Sequence, residues 1–145
     1  NGENVEKEIR GMPVSNLVSL VSAIPEVRKE MVAQQRAIGQ NKGVVMDGRD
    51  IGTVVFKEAE LKIFLTSDPH IRAIRRYKEL KDKGIEASLQ DVEDNLSQRD
   101  HMDSTRENSP LAKASDAVII DNTNISRTEQ LAMVLALIDC RTKIF

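Results

Sequence analysis

Three short apolar runs punctuate the chain: Val44-Val45-Met46, Leu61-Lys62-Ile63-Phe64-Leu65-Thr66 and Ala117-Val118-Ile119-Ile120. Between them, apolar residues recur every three or four positions. Continuous β-branched runs predict strands buried on both faces, and the longer spacing predicts amphipathic helices. In chain order, Leu17, Val18, Leu20, Val21 and Ile24 suit the core face of a helix from about Ser15. Pro25 ends it and opens another, in which Val27, Met31, Gln35 and Ile38 keep helical spacing until Gly39–Gly43 closes it. The segment from Asp50 to Phe56 fits either a helical turn or an extended edge piece.

Ser67-Asp68-Pro69 reads as an N-cap for a helix that ends at Gly84, with Ile71, Ile74, Tyr77 and Leu80 on its apolar side. Ser88 with Asp91 predicts a capping box for the next helix, whose stripe is Leu89, Val92 and Leu96; Ser109-Pro110 breaks it. Ser126 with Glu129 predicts a second box, before a helix with core positions Leu131, Val134, Leu135 and Ile138. Strands alternating with helices imply right-handed crossovers and a parallel sheet, hence an α/β domain. Asn1-Gly2-Glu3-Asn4 is a turn signal with no initiator Met ahead of it, so the chain is expected to be part of a longer polypeptide.

Composition narrows what such a domain does. With 145 residues it is one domain able to bury a core without staples. Aromatic residues are only Phe56, Phe64, Tyr77 and Phe145, and the net charge is -2, which argues against a nucleic-acid partner. Cys140 is the one cysteine, so no intrachain disulfide or thiolate zinc cluster is possible, and His70 and His101 are too few for a histidine-built metal site. No apolar run reaches the roughly 20 residues of a membrane span and no signal pattern opens the chain, so a cytoplasmic location is expected.

The charged residues cluster locally. Asp47, Arg49 and Asp50 follow the first apolar run, at the strand end where α/β sheets bind ligands; the alternative is a solvated Asp-Gly turn. Arg72, Arg75 and Arg76 share a helix face, either a solvated stripe or part of an element that closes over phosphates. Leu89, Val92 and Leu96 are continued along the same arc by Arg99, Asp103 and Arg106, so a core face turns into charge. Such groups are either a frayed Arg99–Asp103 pair or ligand contacts, since an unpaired buried charge costs several kcal/mol. Arg28, Arg49, Arg99 and Arg106 exceed what one monophosphate needs, and guanidinium forks suit phosphates, which points to phosphoryl transfer. Asp47 or Asp50 would orient a nucleophile, hold a magnesium-bound water or accept from an exocyclic amine; the residues leave this open.

Taken together, Ser19, Ala23-Ile24-Pro25-x-Val27-Arg28, Asp47-Gly48-Arg49-Asp50-Ile51-Gly52-Thr53-Val54-Val55-Phe56, Lys62-Ile63-Phe64-Leu65 and Arg99-Asp100-x-x-Asp103-Ser104-x-Arg106 resemble bacterial cytidylate kinase from end to end. The resemblance implies a three-layer, parallel-sheet P-loop nucleoside monophosphate kinase fold, with ATP and magnesium as cofactors and CMP or dCMP as acceptor. It implies a nucleotide-binding insert and connecting helix over 1–40, and the rest of the core over 41–145, with a lid at about 69–107. It further implies that Ser19, Arg28 and Asp50 address the cytosine edge and that Arg49 holds the acceptor phosphate. Arg99 and Asp103 would reach the sugar, Arg106 would complete the pocket, and Arg75 and Arg76 would lie nearest the ATP phosphates. No G-x-x-x-x-G-K-[ST] occurs in these residues. The family's first strand, which would sit between 44–46 and 61–65, is also missing. The expectation is therefore a C-terminal part of such a kinase, inactive alone and prone to self-association through unpaired strand edges. The alternatives are another small-metabolite kinase of this fold, or a non-enzymatic α/β module whose arginine face binds an acidic partner.

Overall fold

A computed structural model describes residues 2–6 and 8–142 of the chain. Of the turn signal at Asn1–Asn4, Asn1 lies outside the described residues; Gly2 takes a positive φ of 79°. The elements in order are a 3₁₀ turn at Glu8–Arg10, α1 (Met12–Ser22), α2 (Pro25–Ile38), a π-helical turn at Ile51–Val55, β1 (Ile63–Thr66), α3 (Pro69–Asp82), α4 (Leu89–Thr105), β2 (Val118–Asp121) and α5 (Arg127–Thr142). This is an α/β arrangement with one two-stranded parallel sheet among the described residues. Ile63 pairs with Val118, and the register runs through to Thr66 opposite Asp121.

The predicted strand at Val44-Val45-Met46 does not form. A strand needs a ladder neighbour for its N–H and C=O groups; none is paired here among the described residues, and Val45 is 96% exposed. The other two strands are shorter than their apolar runs and only partly buried. Ile120 is enclosed, whereas Leu65 and Ile119 face solvent. No helix among the described residues is long and apolar enough to cross a membrane.

The core sits between α3 and α4. Ala73, Leu80 and Val92 are fully enclosed, with Met12, Tyr77, Ile85, Ala87, Leu89 and Leu96 packed around them. Local chemistry fixes both helices in register. The Asp68 side chain accepts from the Ile71 N–H at 3.1 Å and opens α3. At its other end Gly84 takes φ 68°, Ile85 N–H returns to Leu80 O at 2.9 Å and Gly84 N–H to Lys81 O at 2.9 Å. That is a Schellman closure, and Ile85 completes it by packing on the core. The Ser88–Asp91 capping box opens α4 as predicted, and the Ser126–Glu129 box precedes α5.

Three apolar stripes are not core. On α1, which begins at Met12 rather than Ser15, Leu17, Leu20 and Val21 are exposed, as is Ile24 beyond its end, and the buried positions are Ser15 and Ser19. On α2, Met31 and Ile38 are exposed and Val32 is buried instead. On α5, Leu131 and Leu135 are exposed. Periodicity identifies the helices correctly, but which face is covered depends on tertiary neighbours, and α1 turns its small polar face towards α4.

Candidate functional site

The segment 47–56 resolves into a loop followed by the π-helical turn, and that turn holds Asp50 rigidly. Thr53, Val54 and Val55 all direct their N–H groups at the Asp50 carbonyl, at 3.3, 2.9 and 3.3 Å, and Phe56 N–H reaches Ile51 O at 2.7 Å. From α2, Arg36 caps the far end, donating to Val54 O at 2.7 Å and Val55 O at 3.1 Å. Gly39 makes this docking possible, because a Cβ there would lie 2.4 Å from the Phe56 ring. π-Helical turns are rare and frequently lie at functional sites.

The result is that four segments meet around one hollow of about 190 Å³. Helix α1 brings Ser19 and Ser22, α2 brings Arg28 and Gln35, the 48–51 loop brings Arg49 and Asp50, and the end of α4 brings Arg99, Asp103 and Arg106. Asp50 and Asp103 are only 2% and 3% exposed. Each buried carboxylate has a guanidinium partner. Asp50 pairs with Arg28. Asp103 takes Arg49 Nε at 3.0 Å and Arg106 Nη1 at 3.4 Å. Arg106 is held further by Ser109 O at 2.7 Å and Ser22 Oγ at 3.3 Å.

Arg99 is different. It makes no ion pair with a carboxylate among the described residues, and its guanidinium donates to a neutral oxygen, Ser15 Oγ, at 3.2 Å. Burial holds its pKa below the ordinary arginine value and the like charge of Arg49 adds to this, while Asp103 acts in the opposite direction. Arg106 is lowered similarly, first by burial and then by Arg28. Four guanidiniums thus face two carboxylates. The surplus positive charge matches a phosphomonoester, which carries about 1.5 to 2 negative charges at neutral pH.

Unpartnered buried polar atoms mark the same place. Ser19 Oγ, Arg28 Nε, Gln35 Oε1, Asp50 Oδ2, Arg99 Nε and Arg106 Nη2 have no hydrogen-bond partner among the described residues, and all belong to residues lining the hollow; Arg72 Nε and Asp100 Oδ1 are likewise unpartnered but belong to residues outside it. Such atoms cost about 1–3 kcal/mol each unless something satisfies them. They offer donors for anionic or carbonyl oxygens and, at Asp50 and Gln35, acceptors for an N–H or O–H group.

Of the residues expected from sequence, the structure brings together Ser19, Arg28, Arg49, Asp50, Arg99, Asp103 and Arg106. Asp47 is exposed and lies outside the hollow, whose lining in this segment begins one residue later at Gly48. Arg72, Arg75 and Arg76 also stay out of it; Arg75 is exposed and the other two are half-buried, and each guanidinium has a partner elsewhere in the chain. Arg72 binds Asp100, Arg75 binds Asn122 Oδ1 at 2.9 Å and Asn122 O at 2.8 Å, and Arg76 binds Glu79 at 2.9 Å and Arg10 O at 3.1 Å. Sequence reading missed Ser15, Ser22 and Gln35. The serines carried a signal: Ser15, Ser19 and Ser22 follow helical spacing, a polar stripe inside an apolar helix. Gln35 falls on the helical spacing of Val27, Met31 and Ile38, which hides it. Asp100, which reaches both Arg72 and, at 3.6 Å, Arg49, left no periodic trace.

Among the described residues no group of three or more His, Cys, Asp or Glu is arranged to hold a metal ion. A family model described as cytidylate kinase matches residues 1–140. Among curated relatives, the cytidylate kinase of Parabacteroides distasonis is 55% identical over 135 residues, covering 93% of this chain and 59% of the relative. That of Bacteroides thetaiotaomicron is 58% identical over 130 residues, with 90% and 57% covered. That of Flavobacterium johnsoniae is 54% identical over 144 residues, with 99% and 63% covered. The chain therefore spans about three fifths of the length of these relatives.

Proposed function

The chain belongs to the cytidylate kinase family, and from that premise we propose that its polypeptide transfers the terminal phosphoryl group of ATP to CMP or dCMP, with these 145 residues supplying the acceptor site. The observation that carries the reading is the hollow itself, where four guanidiniums and six unsatisfied buried polar atoms from four separate segments surround one space. Arg49, Arg99 and Arg106 hold the acceptor phosphate and sugar. Stabilising charge that spreads over donor, acceptor and transferring group is the main demand of phosphoryl transfer, and fixed guanidiniums meet it without reorganising.

The base is read by Ser19, Arg28 and Asp50. Cytosine presents an amine donor beside ring acceptors, whereas uracil presents a carbonyl acceptor in the place of the amine. Asp50 Oδ2 is an unfilled acceptor, and Ser19 Oγ and Arg28 Nε are unfilled donors, a set complementary to cytosine. Arg75 and Arg76 on α3 serve the ATP phosphates, exchanging their present partners Asn122 and Glu79 for them as a lid over 69–107 closes. Residues 1–40 belong to the nucleotide-binding insert and 41–145 to the core of a three-layer P-loop fold. Magnesium, which the family implies, would be held mainly by the nucleotide phosphates and water, and the guanidiniums of the hollow contribute position and electrostatics. The sequence contains no phosphate loop, and the 145 residues alone are expected to form no CDP.

The test is steady-state phosphorylation of CMP, dCMP and UMP by the full gene product, with Arg28→Met and Asp50→Asn variants. The reading predicts CMP turnover in the wild type and a collapsed preference for cytosine over uracil in both variants. An untouched preference, or a wild type that phosphorylates no CMP, would overturn it.

A further inference from the structure

Among the described residues no carboxylate forms an ion pair with Arg99 to hold it in place, yet it is not loose. Its Nη1 donates to Ser15 Oγ at 3.2 Å. A serine hydroxyl has a single proton and two lone pairs, and that proton is already committed: Ser15 Oγ donates to Asn95 Oδ1 at 2.9 Å. The Ser15 oxygen is thereby left facing Arg99 as an acceptor. Asn95 is itself oriented, because its Nδ2 donates to Asn16 Oδ1 at 2.7 Å. A directed chain of hydrogen bonds therefore runs from Asn95, one helical turn before Arg99 on α4, across to α1 and back to the guanidinium.

The chain has a consequence that an ion pair lacks. Arg28 is paired with Asp50, and Arg49 and Arg106 share Asp103, so these three are partly compensated before any ligand arrives. A neutral hydroxyl fixes the direction of Arg99 and leaves its charge available. We infer that Asn95, acting through Ser15, is a positioning residue that aims Arg99 as the least compensated cation of the acceptor site. Ser15 is largely buried at the α1–α4 contact, so water does not readily replace either partner. The same contacts would also be present if Asn95 merely fastened the two helices, and the experiment must separate these roles.

The inference rests on the reading of the hollow as an anion site, and its test keeps the two apart. Binding of CMP and of inorganic phosphate is measured calorimetrically on the full gene product for wild type, Asn95→Ala, Ser15→Ala, Arg99→Met and the Asn95→Ala/Arg99→Met double variant. Asn95→Ala and Ser15→Ala should each weaken both ligands about tenfold, the size of one lost hydrogen bond to a charged group. In the Arg99→Met background Asn95→Ala should add nothing, because its effect passes through Arg99. A helix fastener would lower the melting temperature without this non-additivity. Ser15→Ala, a small helix-compatible change, stands in if Asn95→Ala does not fold. An Asn95→Ala effect that is absent in wild type, or undiminished beside Arg99→Met, overturns the inference and leaves the kinase reading intact. Phosphate binding with the coupling, but no CMP binding, removes the kinase reading and keeps the positioning role. A wild type that binds neither ligand removes both.

Discussion

Two groups of arginines divide the molecule. Arg72, Arg75 and Arg76 are neighbours in sequence on one helix, yet their guanidiniums go three ways, to Asp100, to the Asn122–Thr123 loop and to Glu79 with Arg10 O. Arg28, Arg49, Arg99 and Arg106 come from three segments up to 78 positions apart and end around a single hollow. Closeness along a helix therefore says little about shared chemistry. What makes the second group a site is shape and imbalance: it encloses a space, and its carboxylates do not cancel its charge. The first group is engaged arginine by arginine within the protein, with Arg72 Nε alone of its buried atoms left unpartnered among the described residues, whereas the second gathers six unpartnered buried atoms around one space.

The comparison is broken most severely through Asp103. It is buried and serves two arginines of the hollow, so Asp103→Asn leaves Arg106 without its carboxylate partner and Arg49 with only Asp100 at 3.6 Å, and should cost about 3–5 kcal/mol of stability. Urea denaturation would read this directly; a loss under 1 kcal/mol would mean the carboxylate is dispensable. Next in size, Arg99→Met should weaken phosphate and CMP binding about 10- to 100-fold, the span expected for charge-assisted hydrogen bonds. Arg75→Met should leave CMP affinity within about twofold while changing stability by under 1 kcal/mol, since its contacts are exposed. Equal losses in the two variants would erase the distinction between the groups.

Much of the secondary structure is legible in the sequence. Asp68, Ser88 with Asp91, Ser126 with Glu129, and Gly84 announce helix ends through contacts within a few residues, and each end forms where its sequence predicts. The site was legible only in part. Arg99, Asp103 and Arg106 betrayed themselves by carrying charge along a core stripe, but Gln35 looked like a core position and Asp100 like any surface carboxylate. The errors share a cause. Val44-Val45-Met46 carries the composition of a buried strand without a partner to pair with, and α1 carries an apolar face that its neighbours do not cover. Local sequence specifies an element and a register; which surface is inside is decided by the other elements.

The smallest expected effect concerns acid. Glu79 binds Arg76 and Lys83, and the hydrogen bond from Lys83, then that from Arg76, holds its pKa below the ordinary 4.5. A depressed carboxylate stabilises the fold above its unfolded value and loses that contribution as the pH falls through its folded value. Stability should therefore decline as the pH drops below about 4.5, with the Glu79 share near 0.5 kcal/mol after solvent screening. Glu79→Gln should flatten the decline by that amount in thermal melts taken from pH 6 to pH 3. An unchanged slope would show that the α3 ion pairs contribute nothing.

The most direct test of the division between the two groups is an NMR titration with CMP that follows the side-chain Nε–Hε resonances of the arginines. The account predicts saturable shifts at Arg28, Arg49, Arg99 and Arg106, largest at Arg99, with Arg72, Arg75 and Arg76 unmoved until an ATP analogue is added. Shifts confined to the α3 arginines, or the same response to any polyanion, would contradict it.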